Sequence, residues 1–119
     1  MAKVTIRLPY PANVSQYGLN KYYAGTHWSV RDKDAKYWHE LVEYETPWNR
    51  PPLKSPVRII FFWNDRLDLS NHAVMAKYIE DGIKKRIIKD DSRKHVQEIV
   101  HRFYNEKVIT VVIEELEDG

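Results

Sequence analysis

Cysteine is absent from this chain, which excludes disulfide staples, thiolate zinc sites and cysteine nucleophiles. The absence fits a reducing compartment, and a cytoplasmic location is expected. No apolar run approaches the ~20 residues a membrane-spanning helix needs. The opening MAKVTIRLPYP has no signal-peptide apolar region, so no membrane association is expected. Glycine is scarce, at four residues, and neither a Gly-rich phosphate loop nor a Gly-x-Ser-x-Gly elbow occurs. That argues against a nucleotide cofactor and against serine esterase chemistry. The five histidines, His27, His39, His72, His95 and His101, are too scattered for a zinc signature. No internal repeat or low-complexity stretch is present.

The chain has 119 residues, 43% hydrophobic and 13% aromatic, enough for one cored domain and too few for two. Residues 1–119 are therefore expected to form a single domain. The formal charge is only +2, but the charge is unevenly spread. Lys84, Lys85, Arg86, Lys89, Arg93 and Lys94 cluster within eleven positions, while Glu114, Glu115, Glu117 and Asp118 crowd the end. A basic strip of this kind is either a polyanion footprint or a solvated helix face.

VTIRLPY alternates apolar and polar side chains at Val4, Ile6 and Leu8 before Pro9, predicting a strand. Residues 11–27, rich in Asn, Gly and Tyr, predict a long ordered loop. A helix is expected from Ser29 to about Tyr44, with Ala35, Trp38, Leu41 and Val42 on its buried stripe. TPWNRPP, with three prolines in six residues, ends it. SPVRIIFFW predicts a central strand. From Ser70 to about Ile87 apolar residues recur with a helical period. HVQEIVHRFY and KVITVVIEE predict two further strands joined by a short turn at Asn105-Glu106, an antiparallel hairpin. The assembly is an α/β or α+β domain with a mixed sheet and two main helices.

The stretch RLDLSNHAVMAKYIEDG, residues 66–82, carries the chemistry of interest. At ~100° per residue, Ser70 and Lys77 share a helix face, with Asp81 a turn beyond. Lys77–Asp81 and Asp81–Lys85 are ordinary (i, i+4) pairs. Taken singly, Asp68 reads as an N-terminal cap, Asn71 as a local turn residue and Asp90-Asp91 as a polar turn. Together, carboxylates at successive element ends could converge on one Mg²⁺, which takes hard oxygen ligands and water, with a lysine near the phosphate.

The segment DLSNHAVMAKYIEDGIKKRIIKDDSRKHV resembles the RusA-type endodeoxyribonucleases, small Holliday junction resolvases common in prophages. Their motif is Asp-x-Asp-Asn, a helix with a Lys and Asp-Gly or Asp-Ala, then Asp-Asp and a valine strand. The matching positions are Asp68, Asn71, Lys77, Asp81-Gly82, Asp90-Asp91 and Val96. The N-terminal segment LPYPANVSQYGLNKYYAGTHWSVRDKDAKYWHELV also resembles the family. The resemblance implies an α/β homodimer that resolves four-way DNA junctions with Mg²⁺ or Mn²⁺. It assigns catalysis to Asp68, Lys77 and Asp91, and metal binding to Asp68, Asp90, Asp91 and the residue at Ser70. The family has a second Asp where this chain has Ser70, a neutral and poorer ligand for a hard cation. Asp65 or Asp81 could substitute for it. The site could bind metal weakly and still cut, or the protein could bind junctions without cutting them.

If DNA is the partner, Arg66, Lys84, Lys85, Arg86, Lys89, Arg93 and Lys94 would contact phosphates, making binding salt-sensitive. Lys21, His27, Arg31 and Lys33 could add to them. Tyr22, Tyr23 and Trp28 could stack on unpaired bases or simply pack the N-terminal loop onto the sheet. The rival readings are a DNA-binding protein that kept the fold and lost the chemistry, and a small protein-interaction module.

Overall fold

The computed structural model of the chain describes residues 2–47, 51–53, 56–84, 87–88 and 95–116. The alternation in the first segment becomes strand β1, Lys3–Leu8, which buries Val4, Ile6 and Leu8 and exposes Lys3, Thr5 and Arg7. The β-branched and aromatic run becomes β2, Val57–Trp63, with Val57, Ile59, Phe61 and Trp63 fully buried. Strands β3, Val96–Phe103, and β4, Ile109–Glu115, complete one sheet in the order β1-β4-β2-β3.

The expected hairpin between the last two strands does not form. β4 inserts between β1 and β2, antiparallel to both, and β3 runs parallel to β2 on the outer edge. The physical reason lies in the side chains. β4 buries Ile109, Val111 and Ile113 completely, as an interior strand must. β3 carries Gln97, Glu98, His101 and Arg102, which an edge tolerates. Tyr104 braces the connection, its N–H donating to the Trp63 carbonyl (3.0 Å) and its hydroxyl reaching Thr110 Oγ1 (2.9 Å) and the Val108 carbonyl.

Helix α1, Leu19–Gly25, lies within the stretch expected as loop and follows a 3-10 turn at Val14–Tyr17. Its local signal is weak; tertiary bonds hold it. Tyr22 is buried, and its hydroxyl donates to Asp34 Oδ2 at 2.9 Å while meeting the Tyr78 hydroxyl at 2.7 Å. Burial, reinforced by Tyr78 and Asp34, raises the Tyr22 pKa well above the ordinary phenol, so it stays a donor.

Helix α2, Trp28–Glu45, begins one residue earlier than expected. Its cap is His27, whose Nδ1 accepts from the Ser29 N–H at 3.2 Å. Trp38 and Val42 are buried and Ala35 and Leu41 half-buried, as its stripe implies. Helix α3, Ala73–Ile83, is shorter than expected because residues 69–72 wind into a separate 3-10 turn. α2 and α3 approach so closely at Gly82 that a Cβ there would lie 3.1 Å from Val42 Cβ.

The buried apolar side chains form one continuous cluster between the helices and the sheet. The protein is thus a single α+β domain with a mixed four-stranded sheet. No helix among the described residues is long and apolar enough to cross a membrane.

Candidate functional site

Because β1, β2 and β3 run in the same direction, their C-terminal ends share one edge of the domain with the start of β4. Open α/β sheets place ligand sites beyond such strand ends. The five residues after β2, Asn64 to Asp68, cross this edge.

Asp65 anchors them from below. Its side chain is only 4% exposed. It accepts from the Leu67 N–H (2.9 Å), from the Tyr10 hydroxyl (2.8 Å) and from His72 Nε2 (2.8 and 2.9 Å to its two oxygens). Tyr10 in turn accepts from the Asn64 N–H at 2.6 Å. Burial, with Asp65 adding to it, pushes the Tyr10 hydroxyl well above the ordinary phenol pKa, so it remains a donor.

His72 is fully buried, stacked on Trp63 at 4.3 Å, with Phe103 at its edge. Its Nδ1 faces the Leu69 carbonyl at 2.9 Å. Both ring nitrogens are thus engaged, Nδ1 with the Leu69 carbonyl and Nε2 with the Asp65 carboxylate. Behind it, Trp63 Nε1–H donates to His101 Nδ1 at 3.0 Å. Burial, and secondarily the charge on His72, lowers the His101 pKa and keeps that ring a neutral acceptor.

This buried knot displays the motif residues on its outer side. Asp68, Leu69 and Ser70 are all exposed. Asp68 occupies the cap position of the 3-10 turn, and its carbonyl accepts from the Asn71 N–H at 2.9 Å, but its carboxylate makes no capping bond. The side chain that reads as an ordinary cap in the sequence is therefore presented to solvent. The preceding residues of the same loop, Asn64 to Arg66, line an open cleft of about 640 Å³ with Tyr10, Ala12 to Ser15 and Lys107. Arg66 and Lys107 give it a basic rim.

The other sequence candidates fall elsewhere. The Lys77 ammonium lies 3.2 Å from Asp81 Oδ1, one turn farther from Asp68, and Lys84 contacts the same oxygen at 3.6 Å. The Lys77–Asp81 pair thus forms as expected. Lys84 sits just beyond the last turn of α3, about 16 Å of helix away from the motif turn, so Arg66 and Lys84 do not belong to one patch. Asp90, Asp91, Lys85, Arg86, Lys89, Arg93 and Lys94 lie outside the described residues. Their described neighbours, Ile88 bridging Leu53 and His95 bonding to the Val57 N–H, stand at the N-terminal end of β2. Asp68 follows its C-terminal end.

Of the possible substitute ligands, Asp65 is committed to Tyr10 and His72, and Asp81 to two lysines. Among the described residues no three His, Asp or Glu side chains group as a metal site. Asp68 and the Ser70 hydroxyl are hard oxygen donors that suit Mg²⁺, which commonly takes one or two carboxylates, with substrate phosphate and water completing the shell.

Tyr22 cannot stack on bases, since the core encloses it, whereas Tyr23 and Trp28 are 54% and 73% exposed. Tyr10 and Lys107 escape sequence reading, and Asp65 is named there only as a substitute ligand, because their proximity comes from strand order, which no local pattern encodes. In comparisons with known proteins, no family model matches the chain and no curated protein is similar to it.

Proposed function

We propose that this chain is a RusA-like, structure-selective DNA endonuclease that resolves four-way junctions by metal-dependent phosphodiester hydrolysis. The observation that carries the reading is the Asp68 carboxylate, exposed and making no capping bond, on the loop whose Asn64 to Arg66 line a cleft rimmed by Arg66 and Lys107. In this reading Asp68 and the Ser70 hydroxyl hold Mg²⁺ or Mn²⁺; Asp90 and Asp91, which the resemblance assigns to the same cation, lie outside the described residues. The bound cation supplies Lewis-acid stabilisation of charge at the scissile phosphate.

Arg66 and Lys107 hold backbone phosphates in the cleft and fix the strand's register. Lys77 can leave Asp81 for a phosphate at little cost, since an (i, i+4) pair contributes only ~0.2–0.5 kcal/mol and Lys84 still contacts the same Asp81 oxygen. Tyr23 and Trp28 offer exposed rings for bases unpaired at a crossover. A homodimer would match two such sites to the twofold character of a junction. The cytoplasm, where recombining DNA is found in prophage-bearing cells, is the proposed location.

The second reading is a junction-binding protein that does not cut. Ser70 favours it, because the missing carboxylate removes one negative charge from the cation site. A labelled four-way junction incubated with Mg²⁺, with Mn²⁺ and with EDTA separates the two. Paired cuts on opposed strands, lost in EDTA, support the nuclease. Tight, selective binding without cuts supports the second reading, and Ser70→Asp should then restore cutting.

A further inference from the structure

We infer that the cleft lined by the motif loop receives a single nucleotide swung out of the stack at the branch point, its base against Tyr10 and Val14 and its phosphate between Arg66 and Lys107. The inference rests on the nuclease reading and deepens it, since it says how a branched substrate is told from a linear one. Three chain segments converge on the cleft: residues after β1, residues after β2, and the turn that leads into β4. Its volume of about 640 Å³ falls within the ~300–1,000 Å³ usual for small-molecule sites. That suits one nucleotide and not a stacked duplex.

The lining supplies each contact a nucleotide needs. Tyr10 is pinned at its hydroxyl, which donates to Asp65 at 2.8 Å and accepts from the Asn64 N–H at 2.6 Å, so the ring is what it offers a base. Val14, packed against the core, extends that apolar wall. The Asn13 Oδ1 accepts from the Ser15 hydroxyl at 2.7 Å, which leaves the amide NH₂ group to donate to a base edge. The charge is one-sided. Glu106, next to Lys107, is drawn to Arg7 at 2.7 Å. Asp65, the one carboxylate in the lining, is 4% exposed and bound to Tyr10 and His72. The Arg66 and Lys107 charges are thus not spent within the lining, and a phosphate is the group they suit. Swinging a nucleotide out of the stack costs least where the base is already poorly held. Stacking is interrupted at a crossover and continuous in a linear duplex, so filling the cleft selects for branching.

The test uses four-way junctions carrying 2-aminopurine, whose fluorescence rises on unstacking, in turn at each crossover nucleotide. EDTA is present, so nothing is cut. Wild type should raise the fluorescence at one position and leave a linear duplex of matched sequence dark. Val14→Trp, which fills the cleft, should abolish the rise and weaken junction binding on the order of tenfold, the range of one stacking contact. Asn13→Leu changes an exposed side chain, so it tests the same claim without touching the core, and it too should diminish the rise. Arg66→Ala should lower the salt slope of junction binding by ~1. The 2-aminopurine deoxynucleoside monophosphate, free in solution, is the second arm. A saturable change with it, lost in Arg66→Ala and unaccompanied by any rise on the junction, would assign the cleft to free nucleotides and overturn the proposal. Junction binding with no rise at any position, or a rise that survives both Val14→Trp and Asn13→Leu, overturns it as well, and leaves the nuclease reading standing. Failure to prefer the junction over the duplex at all would overturn both.

Discussion

Replacing Asp65 with alanine tests whether the platform beneath Asp68 is built as described. The carboxylate accepts from three donors: the Leu67 N–H, the Tyr10 hydroxyl and His72 Nε2. The Leu67 amide, at the half-buried loop, can turn to water. His72, with 0% of its side chain exposed, cannot, and the Tyr10 hydroxyl loses the acceptor for its proton while still receiving the Asn64 N–H. An unsatisfied buried group costs about 1–3 kcal/mol, so the two stranded groups, His72 and Tyr10, together cost about 2–6 kcal/mol. At roughly 4 °C per kcal/mol for a chain of this size, Tm should fall by about 8–24 °C. Urea denaturation should show a lower midpoint with an unchanged slope. A loss below about 1 kcal/mol would refute the buried network and reopen Asp65 as a free carboxylate available to a metal.

Gly82→Val should destabilise by about 1–3 kcal/mol, since its branched side chain enters space already occupied by Val42; chemical denaturation measures it. His101 is neutral in the fold because burial lowers its pKa below the ordinary 6.5. The unfolded chain takes up a proton there that the folded ring refuses, so stability is full above about pH 6.5 and declines as the pH falls toward the depressed value. His101→Gln should flatten that acid-side decline in Tm, and an unchanged profile would disprove it. On the proposed nuclease reading, in which the resemblance makes Asp91 a ligand, Asp91→Asn should abolish cutting while sparing junction binding in a gel-shift assay. Ser70→Asp should raise metal affinity or cleavage, read as activity against Mg²⁺ concentration.

What the sequence reveals and what it hides follow from the range of the interactions. Val4, Ile6 and Leu8, and the buried run of β2, obey local periodicity, and that alone locates the strands. The α2 boundaries are likewise local, set by the His27–Ser29 cap and the prolines from Pro47 onward. α1 is not, because a helix containing Asn20, Tyr22 and Tyr23 and ending in Gly25 depends on Tyr22 reaching Asp34 and Tyr78. The separation of β3 from β4 is visible only as composition: a polar strand and an apolar strand next to each other in sequence, of which only the apolar one suits the sheet interior. At the site, Asp68 and Ser70 are singled out by the resemblance of their stretch to a family motif, since read alone Asp68 is an ordinary cap. The Asp65–His72–Tyr10 knot that displays them joins residues 55 positions apart in the chain, beyond any local pattern.

The most direct measurement compares wild type with Asp68→Asn on a labelled four-way junction and on a linear duplex of matched sequence, with Mg²⁺ present. The exposed, uncapped carboxylate predicts paired cuts in the junction by the wild type, none by Asp68→Asn, and junction binding retained by both. Equal treatment of junction and duplex, or cutting that survives Asp68→Asn, would contradict it.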